Sequence, residues 1–127
     1  MSEKREKLVV GVVEKIKIIG NSKELETLAL FDTGASRTSL DLTLAAEAKL
    51  GPIIGIDEVK QASTKRPKKR PMVEAIIEIR GRRFKRKVNL EDRSHMRFPV
   101  IIGRNVIKGN FIVDPELGAE HLRKRKD

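Results

Sequence analysis

Residues 73–79 of this chain alternate between apolar and polar positions, and residues 9–18 follow a similar pattern built from valine and isoleucine. This alternation limits what the chain can fold into, because a period of two places successive side chains on opposite faces of a β-strand. The other apolar runs are short and lie between turn residues. A mostly β fold is therefore predicted.

Turns and one helix are predicted to connect the strands. A turn at residues 20–22 separates the two strands of a hairpin at residues 8–31. One short helix is predicted at residues 42–50, with Asp41 as its N-cap and Gly51 at its end. Seven or eight strands are predicted, including residues 9–18, 25–31, 53–60, 73–79, 84–90, 98–102 and 111–113, with a single helical turn at 104–108.

The length of 127 residues is enough for one domain with a core of its own. Short strands with one short helix suit a small closed barrel in a single lobe. We assign residues 1–115 to this domain and residues 116–127 to a polar, basic C-terminal tail, and residues 61–71 are predicted to form a basic, proline-containing loop.

Several classes of protein are excluded by composition. The chain has no cysteine, which excludes a disulfide scaffold, a thiolate zinc site and a cysteine nucleophile. No apolar run approaches the ~20 residues of a membrane-spanning helix, and no signal-peptide core follows the first residues. We therefore expect a cytoplasmic protein without a membrane partner.

The formal net charge of +10 is concentrated in residues 60–87, which hold twelve basic and two acidic side chains. Such a cluster favours an anionic partner. Nucleic acid is possible but not favoured, because single-strand binders usually stack bases on exposed aromatic rings. All four aromatic residues here lie in apolar runs typical of a core: Phe31, Phe84, Phe98 and Phe111.

Two motifs carry candidate chemistry. Asp32-Thr33-Gly34-Ala35-Ser36 directly follows a wholly apolar strand, which would place the carboxylate in a low-dielectric environment. About 70 residues later, a second apolar segment ends in Gly103-Arg104-Asn105. An Asp-Thr-Gly turn alone is common, but the two motifs in this order are specific.

Together the motifs resemble the retropepsin family of aspartic proteases, over roughly residues 8–115. In that family an Asp-Thr-Gly-Ala loop pairs with a Gly-Arg-Asn segment near the C-terminus. Residues 92–115 are similar to one prokaryotic branch, often labelled "ATP-dependent zinc protease". Some members of that branch are associated with the ligase that adds a tail of glutamates to a ribosomal protein, and they trim this glutamate tail.

The resemblance implies a homodimer that cleaves peptides, because the chain has one Asp-Thr-Gly and the chemistry needs two carboxylates sharing a proton. Asp32 of each subunit would be catalytic, and Thr33 would hydrogen-bond across the two-fold axis. Gly34 would let the backbone approach the substrate, Ala35 would line the pocket floor, and Gly103, Arg104 and Asn105 would support the loop.

Two departures from the viral pattern leave questions open. Viral retropepsins pair the arginine of Gly-Arg-Asn with an aspartate at the position of Ser36, so Arg104 needs another partner, for which Asp41, Asp92 and Asp114 are candidates. The stretch corresponding to the glycine-rich flap is basic here and contains no glycine. We therefore expect it to attract an acidic, for instance glutamate-rich, substrate through Lys65, Arg66, Lys68, Lys69 and Arg70.

No cofactor or metal is predicted. The chain lacks a phosphate-binding loop and a His-Glu-x-x-His motif, and His95 and His121 are far apart. A cluster of Glu91, Asp92 and His95 is interpreted as an ordinary charged loop, and no histidine is placed to activate Ser36 or Ser39. Two rival hypotheses stay open: a non-catalytic β-barrel that binds RNA or the ribosome through its basic loop, and an inactive protein with the enzyme fold.

Overall fold

The computed structural model describes residues 6–60 and 66–123. Nine strands, two short helices and one 3₁₀ turn lie in these ranges. In chain order they are β1 (Leu8–Gly11), β2 (Val13–Ile19), β3 (Glu24–Phe31), β4 (Ser39–Asp41), α1 (Leu42–Glu47), β5 (Gly55–Val59), β6 (Lys68–Ile79), β7 (Arg82–Glu91), β8 (Val100–Ile102), α2 (Arg104–Ile107), β9 (Phe111–Asp114) and the 3₁₀ turn (Ala119–Leu122).

Six strands close into a barrel in the order β2-β3-β8-β4-β7-β6, and β6 pairs back onto β2. The barrel is mixed, because β8 is parallel to β3 and β4 is parallel to β7, whereas the other pairs are antiparallel. The fold is therefore mostly β, single-lobed and closed, as predicted.

The core fills the barrel with the apolar faces of its strands. Ile16 and Ile18 of β2 and Ile77 and Ile79 of β6 are almost completely buried, which the alternation in these segments predicted. The four phenylalanines are also buried, and the ring of Phe111 packs edge-on against two others. The prediction that these rings belong to the core is confirmed.

The strand predicted at residues 9–18 is two strands, and that prediction was wrong in this respect. At Val12 the backbone N–H donates to Leu117 O (2.8 Å), and the carbonyl accepts from Phe31 N (2.8 Å). These contacts with distant residues interrupt the strand. β1 leaves the barrel and pairs in parallel with β9, whereas β2 continues the barrel wall.

Both helices begin where the sequence predicts, but α1 is shorter. Asp41 caps α1 by accepting a hydrogen bond from Thr43 N (3.1 Å), as expected. The helix ends at Glu47 instead of continuing to residue 50, because Lys49 adopts a left-handed backbone with φ of 56°. α2 is the predicted helical turn.

β6 begins at Lys68, inside the segment predicted as a loop, and this part of the loop prediction was wrong. Residues 68–72 pair antiparallel with β5, and this pairing extends the strand through basic residues and a proline. The hairpin arms, which we define as Gly55–Val59 and residues 68–72, therefore extend from the barrel wall. Residues 61–65, at the predicted loop's start, lie outside the described residues.

The start of the predicted C-terminal tail lies against the barrel. The Cβ position of Gly118 is within 2.3 Å of Val13 O, so a side chain here would clash with β2. Whether residue 115 is the domain boundary stays a prediction. Among the described residues, no helix is long and apolar enough to cross a membrane.

Candidate active site

Asp32 stands at the end of β3, where the chain leaves the barrel wall. Its backbone N–H donates to Ile102 O of β8 (2.9 Å), and its carbonyl accepts from Ala35 N (3.2 Å). The side-chain Oδ1 accepts a hydrogen bond from Gly34 N (2.8 Å). These bonds fold residues 32–35 into a tight turn that leaves the Asp32 side chain half-buried, with Gly34 exposed.

Thr38, a residue that sequence reasoning missed, joins the two predicted motifs. It is completely buried. Its hydroxyl donates to Oδ1 of Asn105 (2.9 Å) and accepts from Gly103 N (3.1 Å), and its backbone N–H also donates to Asn105 Oδ1 (2.9 Å). Asn105 in turn donates through Nδ2 to Lys87 O on β7 (3.0 Å). A threonine six residues after a candidate catalytic aspartate gave no signal of this role in the sequence reasoning.

Backbone contacts complete the same junction. Arg104 N donates to Ala35 O (2.8 Å), and Asn105 N donates to Ser36 O (3.2 Å). A Cβ atom at Gly103 would lie 2.6 Å from the carbonyl carbon of Arg37, so this approach requires glycine. The structure therefore brings the Asp32 loop and the Gly103–Asn105 segment together, and we call their junction the loop clamp.

Arg104 contacts a backbone carbonyl. Its Nη1 donates to Thr33 O (3.0 Å), directly beside Asp32. The three acids that were candidate partners have other contacts. They accept hydrogen bonds from nearby backbone N–H groups: Asp41 from Thr43 and Arg93, Asp92 from Ser94, and Asp114 from Glu116.

A cleft of about 470 Å³ opens beside the Asp32 loop. Its lining includes the segment Gly34–Arg37, the hairpin arms, the end of β7 and the loop after it. The lining is rich in charged and polar groups. It includes Arg37, Asp57, Arg70, Asn89, Glu91 and Arg93, of which only Arg70 was predicted to be near substrate.

One polar network in the cleft centres on Asp57 of β5. Its Oδ2 accepts from Arg37 Nε (3.0 Å) and from Asn89 Nδ2 (2.9 Å). Asn89 is buried, and its Oδ1 accepts a short hydrogen bond from the Ser39 hydroxyl. Ser39 is thus a structural residue in this chain.

A second network centres on Glu91 at the end of β7. Its Oε2 lies 3.0 Å from Arg70 Nη1 and 3.2 Å from Arg93 Nη1. The Arg93 side chain is buried, its Nε donates to Phe98 O (2.9 Å), and its backbone N–H donates to Asp41 Oδ1 (2.7 Å). Two guanidinium groups thus share one carboxylate, which leaves a net positive charge in this part of the cleft.

The five basic residues predicted to attract substrate are not all in one place. Arg70 lines both the cleft and a neighbouring cavity of about 520 Å³, whereas Lys68 and Lys69 line only the neighbouring cavity, with Asp92 and His95. Arg66 lies in the connection between β5 and β6. Lys65 lies outside the described residues.

The charged loop after β7 contains no arrangement suited to a metal. Asp92 is fully exposed, and hydrogen bonds from Ser94 hold the pKa of its carboxyl below its usual value. Across residues 6–60 and 66–123, no group of three or more histidine, aspartate or glutamate side chains is arranged to hold a metal ion.

A protein-family model described as "RimB-like: Retropepsin-like aspartic endopeptidase RimB" matches residues 43–125. The match includes the Gly103–Asn105 half of the loop clamp and the charged cleft residues from Asp57 to Arg93, and it begins eleven residues after Asp32 (43 − 32). No curated protein sequence matches the chain.

Solved structures share the fold. A Legionella pneumophila protein of unknown function, Lpg0085 (DUF785), is 26% identical with a TM-score of 0.60, over 88% of this chain and 96% of that one. EIAV protease, solved with the inhibitor HBY-793, is 18% identical with a TM-score of 0.55, over 80% and 91% of the two chains. Simian foamy virus (mac) protease is 14% identical with a TM-score of 0.51, over 72% and 86%. The two viral similarities concern the fold alone.

Proposed function

Because this chain belongs to the RimB-like family of retropepsin-like aspartic endopeptidases, we propose that it hydrolyses peptide bonds as a homodimer, with Asp32 of each subunit in one shared active site. The observation that carries this proposal is the loop clamp. It holds a single Asp-Thr-Gly turn at the end of β3, with Thr33 and Gly34 exposed. Aspartic proteolysis needs two carboxylates, so one chain supplies half of a site.

The chemistry follows from two adjacent carboxyl groups that share one proton. Like charges in close contact cannot both ionise at neutral pH, so one Asp32 is ionised and the other protonated. The ionised carboxylate takes a proton from a water molecule as its oxygen attacks the peptide carbonyl. The protonated carboxyl donates its proton to the carbonyl oxygen, and collapse of the diol then breaks the C–N bond as the amine gains a proton.

We further propose that the substrate is acidic. The hairpin arms and their connection, residues 55–72, hold six basic and two acidic side chains, and Arg70 reaches from there into the cleft. The Arg70–Glu91–Arg93 group carries one more positive than negative charge beside the Asp32 loop. A carboxylate-bearing peptide is the ligand that this field favours.

The first test compares wild type with Asp32→Asn on acidic and neutral peptides between pH ~4 and 7. Loss of a general acid–base group costs ~10²–10⁴-fold in rate, so we expect cleavage to fall to background. Glu26→Gln, which removes an exposed carboxylate from β3, is the matched control and should cleave normally. Salt-sensitive RNA binding with no cleavage by any variant would instead support a binding module.

Subunit mixing tests the shared site directly. Wild type is equilibrated with an excess of Asp32→Asn so that most wild-type chains enter mixed dimers, and total activity is measured. A shared site predicts that activity falls well below that of the same wild-type concentration alone. Unchanged activity with exchange verified would contradict the dimeric mechanism.

The substrate class is tested by substituting Lys65, Lys68 and Lys69 with glutamine. We expect the KM for an acidic peptide to rise and its salt dependence to weaken. The control removes the same charge from the barrel wall at Lys15, Lys17 and Lys85. Equal effects of the two triple variants would indicate that only total charge matters and would contradict a role for the hairpin.

A further inference from the structure

Backbone strand pairing connects the hairpin arms to the barrel wall at one end only. β5 pairs with β6, and the described strand pairings give it no other neighbour. β6 begins to pair with β7 at Met72, so residues 68–71 pair with β5 alone. Side chains must therefore set where the arms lie relative to the Asp32 loop.

Two opposed side chains on the arms reach toward the barrel. Asp57 and Arg70 are direct cross-strand partners, so they project from the same face. Asp57 contacts Arg37 (3.0 Å), and Arg70 contacts Glu91 (3.0 Å). Each arm is thus tied to the barrel by one ion pair, and the two pairs have opposite polarity.

The partners on the barrel are themselves held firmly. Arg37 lies between Ser36 and the buried Thr38, and its own carbonyl group packs against Gly103 in the loop clamp. Asn89, the second donor to Asp57, is fixed by Ser39. The Asp57 contact therefore connects the arm to the segment that carries Asp32.

The two ion pairs of the arms are more protected than the pair between Lys85 and Glu74 on the outer barrel wall. Side-chain exposure is 33% for Arg37 and 17% for Asp57, against 66% and 51% for the Lys85–Glu74 pair on β7 and β6. Removing one member of a protected pair leaves the other charge poorly solvated. Breaking such a pair therefore costs more free energy than breaking an exposed pair.

We propose that Arg37 and Asp57 are positioning residues that hold the hairpin arms in register with the Asp32 loop, with Arg70–Glu91 as the matching tie on the second arm. The pair acts through the position of the arms and not by contact with the reacting atoms. The kinetic part of this proposal rests on the proposed function, whereas the structural part does not.

Hydrogen exchange of the purified wild type, Arg37→Gln, Asp57→Asn and the double variant tests the structural part. We expect amides in residues 55–59 and 68–72 to exchange about tenfold faster in each single variant, with little further gain in the double variant. Amides of residues 74–79 should keep their wild-type rates. Glu74→Gln, on the same strand, should change neither set.

Unchanged exchange in the arms, additive effects of the two substitutions, or an equal rise throughout the barrel would overturn the proposal. Arg70→Gln provides a second variant should either of the first pair fail to fold, and it should accelerate exchange in the same two segments. These measurements need no substrate, so they remain decisive even where no cleavage is found.

Where peptide cleavage is measurable, the substitutions should change KM more than kcat. Arg37→Gln and Asp57→Asn are expected to raise KM several-fold while kcat changes less than about twofold, because the Asp32 loop stays clamped. A fall in kcat with KM unchanged would contradict a positioning role for the pair.

Discussion

The Asp32 loop and the hairpin arms line the same cleft, but they are attached to the barrel by different kinds of contact. The loop is held mainly by uncharged hydrogen bonds around the buried Thr38 and by close backbone packing at Gly103, with one hydrogen bond from the Arg104 guanidinium to Thr33 O. The arms are held by the ion pairs Arg37–Asp57 and Arg70–Glu91.

This difference means that the position of the Asp32 loop is fixed, whereas the position of the hairpin arms can adjust. Uncharged, buried contacts respond little to pH or salt and allow one arrangement, which suits a group whose position decides the chemistry. Ion pairs at a cleft edge respond to both and can exchange partners with an incoming charged ligand. An acidic peptide can therefore compete for Arg70 on the arms and for its neighbour Arg37 without disturbing Asp32.

Among substitutions in the loop clamp, Gly103→Ala is expected to destabilise the protein most. The added Cβ would meet backbone atoms of Arg37 at 2.6–2.8 Å, which cannot move away as a flexible side chain could. We expect a loss of about 3 kcal/mol in the free energy of unfolding, measured by urea denaturation. Gly55→Ala is the control, since its Cβ meets only the end of the Met72 side chain (3.1 Å) and should cost far less.

A milder break is Thr38→Val, which keeps the shape but removes the hydroxyl. Gly103 N would lose its acceptor and Asn105 one of its donors, so we expect destabilisation of about 2 kcal/mol. Thr38→Ser retains the hydroxyl and should lose less, by the same measurement. If valine and serine variants were equally stable, the hydrogen bonds would not be what holds the loop.

The Glu14–Arg80 ion pair lies outside the cleft, so it is a reference for how much an ion pair contributes to the stability of this barrel. Glu14 accepts two hydrogen bonds from Arg80 (2.9 Å each) and one from Gly11 N (2.7 Å) at the junction of β1 and β2. The Arg80 hydrogen bond lowers the pKa of Glu14 below its usual value of 4.5. We expect Glu14→Gln to cost about 1 kcal/mol at pH 7.

The sign of the pH dependence follows from this lowered pKa. The stability that Glu14 contributes is complete above its unfolded pKa and is lost as pH falls through the lower folded pKa. Wild type and Glu14→Gln should therefore differ at pH 6 and converge well below pH 4.5, when unfolding is measured at each pH. A difference that grows on acidification would contradict this assignment.

The smallest effect is expected at the exposed Lys85–Glu74 pair (3.4 Å). Glu74→Gln should change the free energy of unfolding by less than about 0.5 kcal/mol, because water and salt screen the pair. A larger loss would mean that ionic contacts on the outer wall also stabilise the fold, and the contrast between the clamp and the arms would then be weaker.

Sequence patterns were sufficient for the barrel and for the meeting of the two motifs. Alternation in β2 and β6 predicted the buried faces, and Asp41 predicted the start of α1. The pairing of the Asp32 loop with Gly103–Asn105 was expected from the resemblance and is present in the structure.

The missed features depend on contacts between residues far apart in the chain. The break at Val12 needs Leu117, and β6 extends to Lys68 only because β5 lies alongside. The two ion pairs that tie the arms to the barrel join residues 20 or more positions apart, and charged residues on loops and strand ends have no periodicity to identify them. Arg104 donates a hydrogen bond to the backbone carbonyl of Thr33, and a search for an acidic side-chain partner would not identify this contact.

The length of β6 has a consequence for how this chain tolerates insertions and deletions. Its 12 residues form one strand, which pairs with β5 in the hairpin at one end and with β7 in the barrel wall at the other. Deleting one residue near Met72 would turn Arg70 to the opposite face while leaving Ile77 and Ile79 in the core. We therefore expect length changes in this region to be tolerated in steps of two, or within the connection between the arms.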